Sequence, residues 1–356
     1  MSNEARLIRL VRLEDAVSNL PARTLFHAGP PYKGQPPGAV LNAAAHAAVL
    51  EGWSPDFDAA RSAIAGEGAG IRLLPAQDHG IVVPLAQVAG PSTWCWEVGN
   101  DKLRVYSPVS EGGPPALRFG SADPRSRDNA LGWCAKLAEH ANPLLEKTAI
   151  HPEQLMRKAH EMGDDGHAVV QAGTGLLVDA LEGLPEEFRA AILANAGFAL
   201  TPWMAYCGWK LGTNENGISA IGGNGIEFGI KLKGNDTWNS VSAPSPSGPY
   251  FKPEFADESL GAIGDSAVVD TCGFGGQALQ HAPVLLKEWN DYLPADVAER
   301  PKQLLDPQTG CLDPARIVAT GMSPIINLAI LHREGADTPI GRGHYCPPAS
   351  LFDNKG

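Results

Sequence analysis

The chain has 356 residues, 44% of them hydrophobic and 19% charged, which is enough to bury a sizeable core in one large domain or two. A net charge of −12 with no basic cluster argues against a nucleic-acid backbone as partner, and no apolar run approaches the ~18 residues of a membrane span. The N-terminus MSNEARLIRLVRLEDA is too charged for a secretory leader, so a cytoplasmic protein is expected, its six scattered cysteines reduced and mostly packed.

Forty glycines and 30 prolines without a repeat predict a loop-rich fold. In chain order, LNAAAHAAVLEGW reads as an alanine-rich packed helix, and GIRLLP, GIVVPLAQVAG, TWCWEVGN and KLRVYSPV as short strands between turns. From about 126 to 212 the spacing becomes helical, with Pro152 and Pro185 near helix starts. Strands return in GISAIGGNGIEFGIKLKGNDTWNSV, and APSPSGPYFKP is a loop. In GDSAVVDTCGFGGQAL, residues 264 to 279, Ala267-Val268-Val269 predicts a buried strand leading through a glycine turn into a helix. Residues 276 to 293 and 314 to 333 read as helical, and the tail GRGHYCPPASLF as irregular. The sum is an α+β fold, a mixed-sheet body with a small inserted helical subdomain. Its parts are residues 1–125 (first part of the body), 126–212 (the insertion) and 213–356 (second part, with the tail over the site).

Several side chains carry possible chemistry. His160, Asp164 and His167 would share a face of an unbroken helix at a metal-ligand spacing, but Gly163 and Gly166 favour an acidic turn in which Asp164 or Asp165 caps the next helix. No bound metal and no cofactor is expected, since there is no Cys-x-x-Cys pair, P-loop lysine or dinucleotide fingerprint. Asn224, followed by glycine, either reads a substrate amide or makes a tight turn, and Glu227 follows it on the same strand edge. Arg118 offers a guanidinium to a carboxylate or phosphate, and His79 stands beside Asp78 after a strand. Cys272 stands at the mouth of the glycine turn, where helix-terminal N–H groups would lower its thiol pKa.

Six blocks in order, HAGPP (27–31), EGGPPALRFG (111–120), MGDDGH (162–167), NGIEFGIKLKG (224–234), GDSAVVDTCGFGG (264–276) and TGMSPIINLAILHREG (320–335), give the chain a resemblance to a known family. It resembles the domain-of-unknown-function family that includes a subunit of bacterial oxamate carbamoyltransferase, the last enzyme of anaerobic allantoin breakdown. The resemblance implies carbamoyl transfer between phosphate and the nitrogen of oxamate, a small amide or carboxylate substrate, and sister subunits or a homo-oligomer. Family members often carry a longer portion before HAGPP. Two arginines expected from the family are missing: Ala168-Val169-Val170 stands where an Arg-Asn pair would follow His167, and Gly223 stands where Arg would precede Asn224. Their loss removes phosphate clamps, so hydrolysis of an amide or ureide C–N bond stands beside transfer, and a noncatalytic scaffold or regulatory subunit is the alternative.

On this resemblance Asp265, Asp164 and His167 are the candidate proton acceptors, and Arg118 would hold the substrate carboxylate. Ser266 would face the substrate, while Asn224 and the backbone at Gly275 and Gly276 would stabilise an oxyanion. Glu227, His27 and His79 complete the substrate-binding candidates. His344 and Tyr345 would close over them as a lid between the glycines and prolines of the tail.

Overall fold

The computed structural model describes residues 4–66, 70–112, 114–215, 217–336 and 338–353, and among these the architecture is α+β. The strands divide into small sheets. β1 (Arg6–Arg12), β4 (Trp94–Gly99) and β5 (Arg104–Pro108) form an antiparallel sheet in the order β1-β4-β5. A second antiparallel sheet runs β8 (Asn239–Ser242), β7 (Glu227–Leu232), β6 (Ile218–Asn224), β9 (Ile263–Gly264). β2 (Thr24–His27) and β3 (Arg72–Pro75) pair in parallel, which requires a long crossover. The short helix α1 (Leu13–Ala16) precedes β2. α2 (Gly38–Leu50) and α3 (Phe57–Ala65) supply the crossover. α2 is buried along most of its length, and its alanines allow the close approach this needs.

The predicted helices between 126 and 212 appear as α4 (Pro124–Lys147), α5 (Pro152–His160), α6 (Gln171–Ala180), α7 (Glu186–Ala194) and α8 (Leu200–Thr213). Local chemistry sets their starts. Asp123 accepts from Arg125 N–H ahead of Pro124, Pro152 opens α5, and Pro185 stands at the N-cap of α7. Their apolar faces share one core with the sheets: Leu137, Met156, Leu177 and Trp203 pack in the same cluster as Leu7, Trp96, Ile221 and Val268.

Four segments depart from the expected elements. Ala267–Thr271 is a short helix, α9, not a strand, and all five of its residues are buried. A fully buried helical turn and a buried strand give the same apolar run, so the pattern could not separate them. GIVVPLAQVAG forms no strand: it makes single bridges, Ile81 to Tyr106 and Phe26 to Ala89, on either side of a turn at Leu85 and Ala86. Within 314 to 333 only Pro314–Thr320 is helical, and Ile326–Ile330 is strand β10. The tail is strand β11 (Gly341–Tyr345), antiparallel to β10 with Asn327 opposite His344, because the partner strand supplies hydrogen bonds that a local reading does not see.

Candidate active site

A cavity of about 400 Å³ opens where distant stretches of chain meet. Ser266, just before α9, lines one wall, and His167, Ala168 and Val169 from the turn ahead of α6 line another. Asn195 enters from the end of α7 and Thr201 from the first turn of α8, while Arg118 lines the cavity from the short helical turn Leu117–Phe119 and Arg342 from β11.

The turn carrying His167 is shaped by two carboxylates. Asp164 accepts from the N–H groups of Ala172 and Gly173 at 3.2 and 2.7 Å, capping the first turn of α6. Asp165 accepts from Ala168 and Val169 N–H at 3.1 and 2.6 Å and from Asn327 Nδ2 at 2.7 Å. His167 is then joined to Asp270 of α9, Nδ1 to Oδ2, at 2.7 Å, with both side chains buried. The other carboxylate oxygen of Asp270 accepts from Gly276 N–H at 2.6 Å and Asn327 N–H at 3.1 Å. Because a carboxylate accepts, Nδ1 carries a proton, and Nε2, with no partner among the described residues, is the nitrogen left for the cavity. Burial by itself depresses the imidazole's pKa, but the charge and hydrogen bond of Asp270, with the charge of Asp165, more than offset it and raise the pKa above the usual histidine value.

Arg118 donates through Nη1 to Glu111 at 3.3 Å and lies 4.5 Å from the centre of the Phe119 ring. Burial lowers its pKa against the pull of Glu111. Arg342 grips Glu288 with two parallel contacts, Nε to Oε1 at 2.8 Å and Nη2 to Oε2. Asn195 Nδ2 donates to Ser110 Oγ at 2.9 Å. The hydroxyls of Ser266 and Thr201 are buried with no partner among the described residues, an uncommon state for buried polar groups.

Of the residues expected at the site, the cavity gathers Arg118, His167 and Ser266. The others do different work. Asp265 is fully buried, and its carboxylate accepts from Gly29 N–H, Gln77 Nε2 and Val83 N–H at 2.9, 2.7 and 3.0 Å. Burial raises its pKa to about 7 in spite of these bonds. Asn224 makes the tight turn: its Oδ1 accepts from Ile226 and Glu227 N–H, and its Nδ2 donates to Pro30 O. Glu227 pairs with Lys33 at 2.6 Å. His27 is buried against Tyr32 with Nδ1 on Ala28 O, and burial lowers its pKa to about 4. His79 packs on Phe26.

The expected oxyanion cradle is corrected by the hydrogen bonds. Gly275 N–H donates to Asp165 O and Gly276 N–H to Asp270, so neither is free for a ligand. Glycine is needed there for another reason: Gly275 has φ +56, and a Cβ would lie 2.2 Å from Asp270 Oδ1. The lid is corrected too. Tyr345 packs on Phe228, and His344 is buried near Trp289 and lines a separate cleft, its pKa lowered to about 4 by burial and Arg300. Cys272 is buried, and its thiol pKa is raised well above the usual value by burial, the reverse of an activated thiol. His160, Asp164 and His167 point to separate tasks, His160 stacking on His281, and among the described residues no cluster of three or more His, Cys, Asp or Glu is arranged to hold a metal ion.

Asp270 is the residue that sequence reasoning missed. Read as part of a strand, it falls on the face opposite Asp265, whereas a helical turn brings it to His167. Arg342 was missed because it stands in a segment read as irregular tail.

The family described as oxamate carbamoyltransferase subunit AllG matches residues 71–266. The chain is 28% identical to the uncharacterized protein YahG of Escherichia coli K12, over 97% of this chain and 81% of that one. It is 27% identical to the oxamate carbamoyltransferase subunit AllG of the same organism, over 93% of this chain and 88% of that one. A crystal structure of a conserved protein of unknown function from Enterococcus faecalis V583 shares the fold with a TM-score of 0.87 and 25% identity, over 98% of this chain and 92% of that one. Among the described residues no helix is long and apolar enough to cross a membrane.

Proposed function

The chain belongs to the oxamate carbamoyltransferase subunit AllG family, and from that membership we propose that its cavity binds a small carboxylate-bearing amide or ureide and moves or releases the carbamoyl group. The observation that carries this reading is His167 in the cavity wall, backed by the buried Asp270 at charge-assisted hydrogen-bond distance and with no partner on Nε2 among the described residues.

The charge and hydrogen bond of Asp270 favour the protonated ring, and the imidazolium is the form this reading puts to work. An oxygen nucleophile, phosphate in transfer or water in hydrolysis, adds to the carbamoyl carbon, and the carbonyl electron pair moves onto oxygen. When the C–N bond breaks, its electrons stay on nitrogen, which takes the Nε2 proton of His167. The neutral imidazole then regains a proton from the attacking water or hydrogen phosphate. Ser266 and Thr201 supply hydroxyl donors for the developing oxyanion, and Arg118 holds the carboxylate. Asp270 positions the ring and supports its charge; both oxygens of Asp164 and of Asp265 are engaged by structural donors, so in this reading they serve the architecture.

A noncatalytic subunit role has one observation in its favour. The wall expected to carry an arginine is Ala168 and Val169, and at Gly223 a side chain has no room, since a Cβ would lie 2.1 Å from Ala262 O. Incubating the purified chain with an oxalurate-like ureide separates the readings. Phosphate-dependent turnover supports transfer, and ammonia release without phosphate supports hydrolysis. No turnover alone, with activity restored to sister subunits by a His167→Ala chain as well as by the unaltered one, supports the noncatalytic role.

A further inference from the structure

Oxamate-type acids are small and polar throughout, and the cavity is neither. About 400 Å³ falls in the range that holds drug-sized ligands and far exceeds what a two-carbon acid fills. Leu85, Phe119, Val169, Leu200, Phe251 and Leu328 give it apolar walls. Its cations are mostly spoken for: Arg342 is held bidentate by Glu288, and Arg118 is partnered by Glu111, leaving one guanidinium with a single long contact and the His167 imidazolium to receive a negative charge. Phe251, at the edge of this cavity, is 54% exposed, although its backbone is anchored by an N–H bond to Ile340 O. An anchored ring that lines an apolar hollow and keeps more than half its surface open can receive an apolar group there.

Resting on the proposed ureide reading, we infer that the substrate is a monocarboxylate with an apolar body: a carbamoyl or amide head at His167, a single carboxylate at Arg118, and a hydrocarbon or aryl group between Val169, Leu85 and Phe251. Ala168 and Val169 then stand where they do because a bulky apolar substituent lies against them. Their N–H groups are fixed by Asp165, so the wall keeps its shape whatever side chain it bears. A second charge placed against Leu85, Val169 and Phe251 would lose its hydration at those apolar side chains.

Isothermal titration of the full chain with N-carbamoyl amino acids of growing side chain, from N-carbamoylglycine to N-carbamoylleucine and N-carbamoylphenylalanine, against oxalurate, tests this. Affinity should rise by about fourfold for each methylene buried, with the leucine and phenylalanine members ahead of oxalurate. Phe251→Ala should weaken those members by about tenfold or more while leaving N-carbamoylglycine nearly unchanged. Val169→Arg should reverse the order in favour of oxalurate. Oxalurate binding as tightly as the apolar members, or a flat series, overturns the inference and leaves the ureide reading standing. Failure of every ureide to bind removes both.

Discussion

Asp265 and Asp270 stand five residues apart and are both fully buried, yet their surroundings give them opposite tasks. Each oxygen of Asp265 accepts from a backbone N–H, Gly29 on one side and Val83 on the other. Asp265→Asn would turn an amide N–H toward one of these donors, leaving it unsatisfied in the interior. The expected cost is about 1–3 kcal/mol of stability, read by chemical denaturation, with activity per folded molecule kept. Loss of turnover at unchanged stability would place Asp265 in the chemistry instead. Asp270→Asn keeps an oxygen for Gly276 and Asn327 N–H but removes the charge that raises the His167 pKa. On the proposed mechanism the protonated ring is the active form, so activity is present below its pKa and lost as pH rises through it. Lowering that pKa should move the alkaline limb of kcat/KM to lower pH. An unmoved limb would show that Asp270 does not govern the ring.

At the scale of elements, what was legible depended on whether the determinant was local. α4 to α8 could be read from spacing and from prolines at their starts, and β6 to β8 from short alternating runs between glycine and asparagine turns. α9 was not legible, because two valines in a fully buried turn mimic a strand, and with it went the Asp270–His167 pair. Arg118, His167 and Ser266, singled out for their side chains or motif blocks, do meet at the cavity, whereas the carboxylates are told apart only by the donors that distant segments bring to them. β11 was hidden because its glycines and nearby prolines signal a loop, whereas Gly343 is there so that Ser247 can approach, a Cβ lying 2.2 Å from its carbonyl oxygen. Removing residues 341–356 would therefore take away both a strand and core side chains. Tyr345, Leu351 and Phe352 are each under 8% exposed, and burying such side chains is worth about 1.5–3 kcal/mol apiece. With the β10 ladder lost as well, the deficit rivals the ~5–15 kcal/mol that holds a typical domain folded. The truncated chain should therefore accumulate as insoluble or unfolded protein; a soluble product with parental near-UV circular dichroism would show the strand to be dispensable.

At the scale of the whole molecule, the helices between 124 and 213 are tied to the sheets through a shared core cluster, beside three further clusters elsewhere among the described residues. Residues of α4, α5, α6 and α8 share a cluster with β1, β4, β6, α9 and β10, and the cavity draws its walls from the same separated stretches of chain. If the helices between 124 and 213 formed an autonomous unit, their apolar faces would close on one another; instead Leu137 and Trp203 pack in the cluster that holds Trp96 and Val268. Unfolding should then be a single transition by calorimetry and by tryptophan fluorescence, in spite of the chain's length. A ligand that occupies the cavity at a hundred times its Kd adds about 2.7 kcal/mol to the folded state. The walls draw on two core clusters, Val170 and Leu328 from one and Leu85 from the other, so if these unfold together that increment should move the entire transition upward by several degrees rather than split it. Two transitions, with only one responding to the ureide, would mean that the helical stretch folds on its own and that the cavity belongs to the remainder.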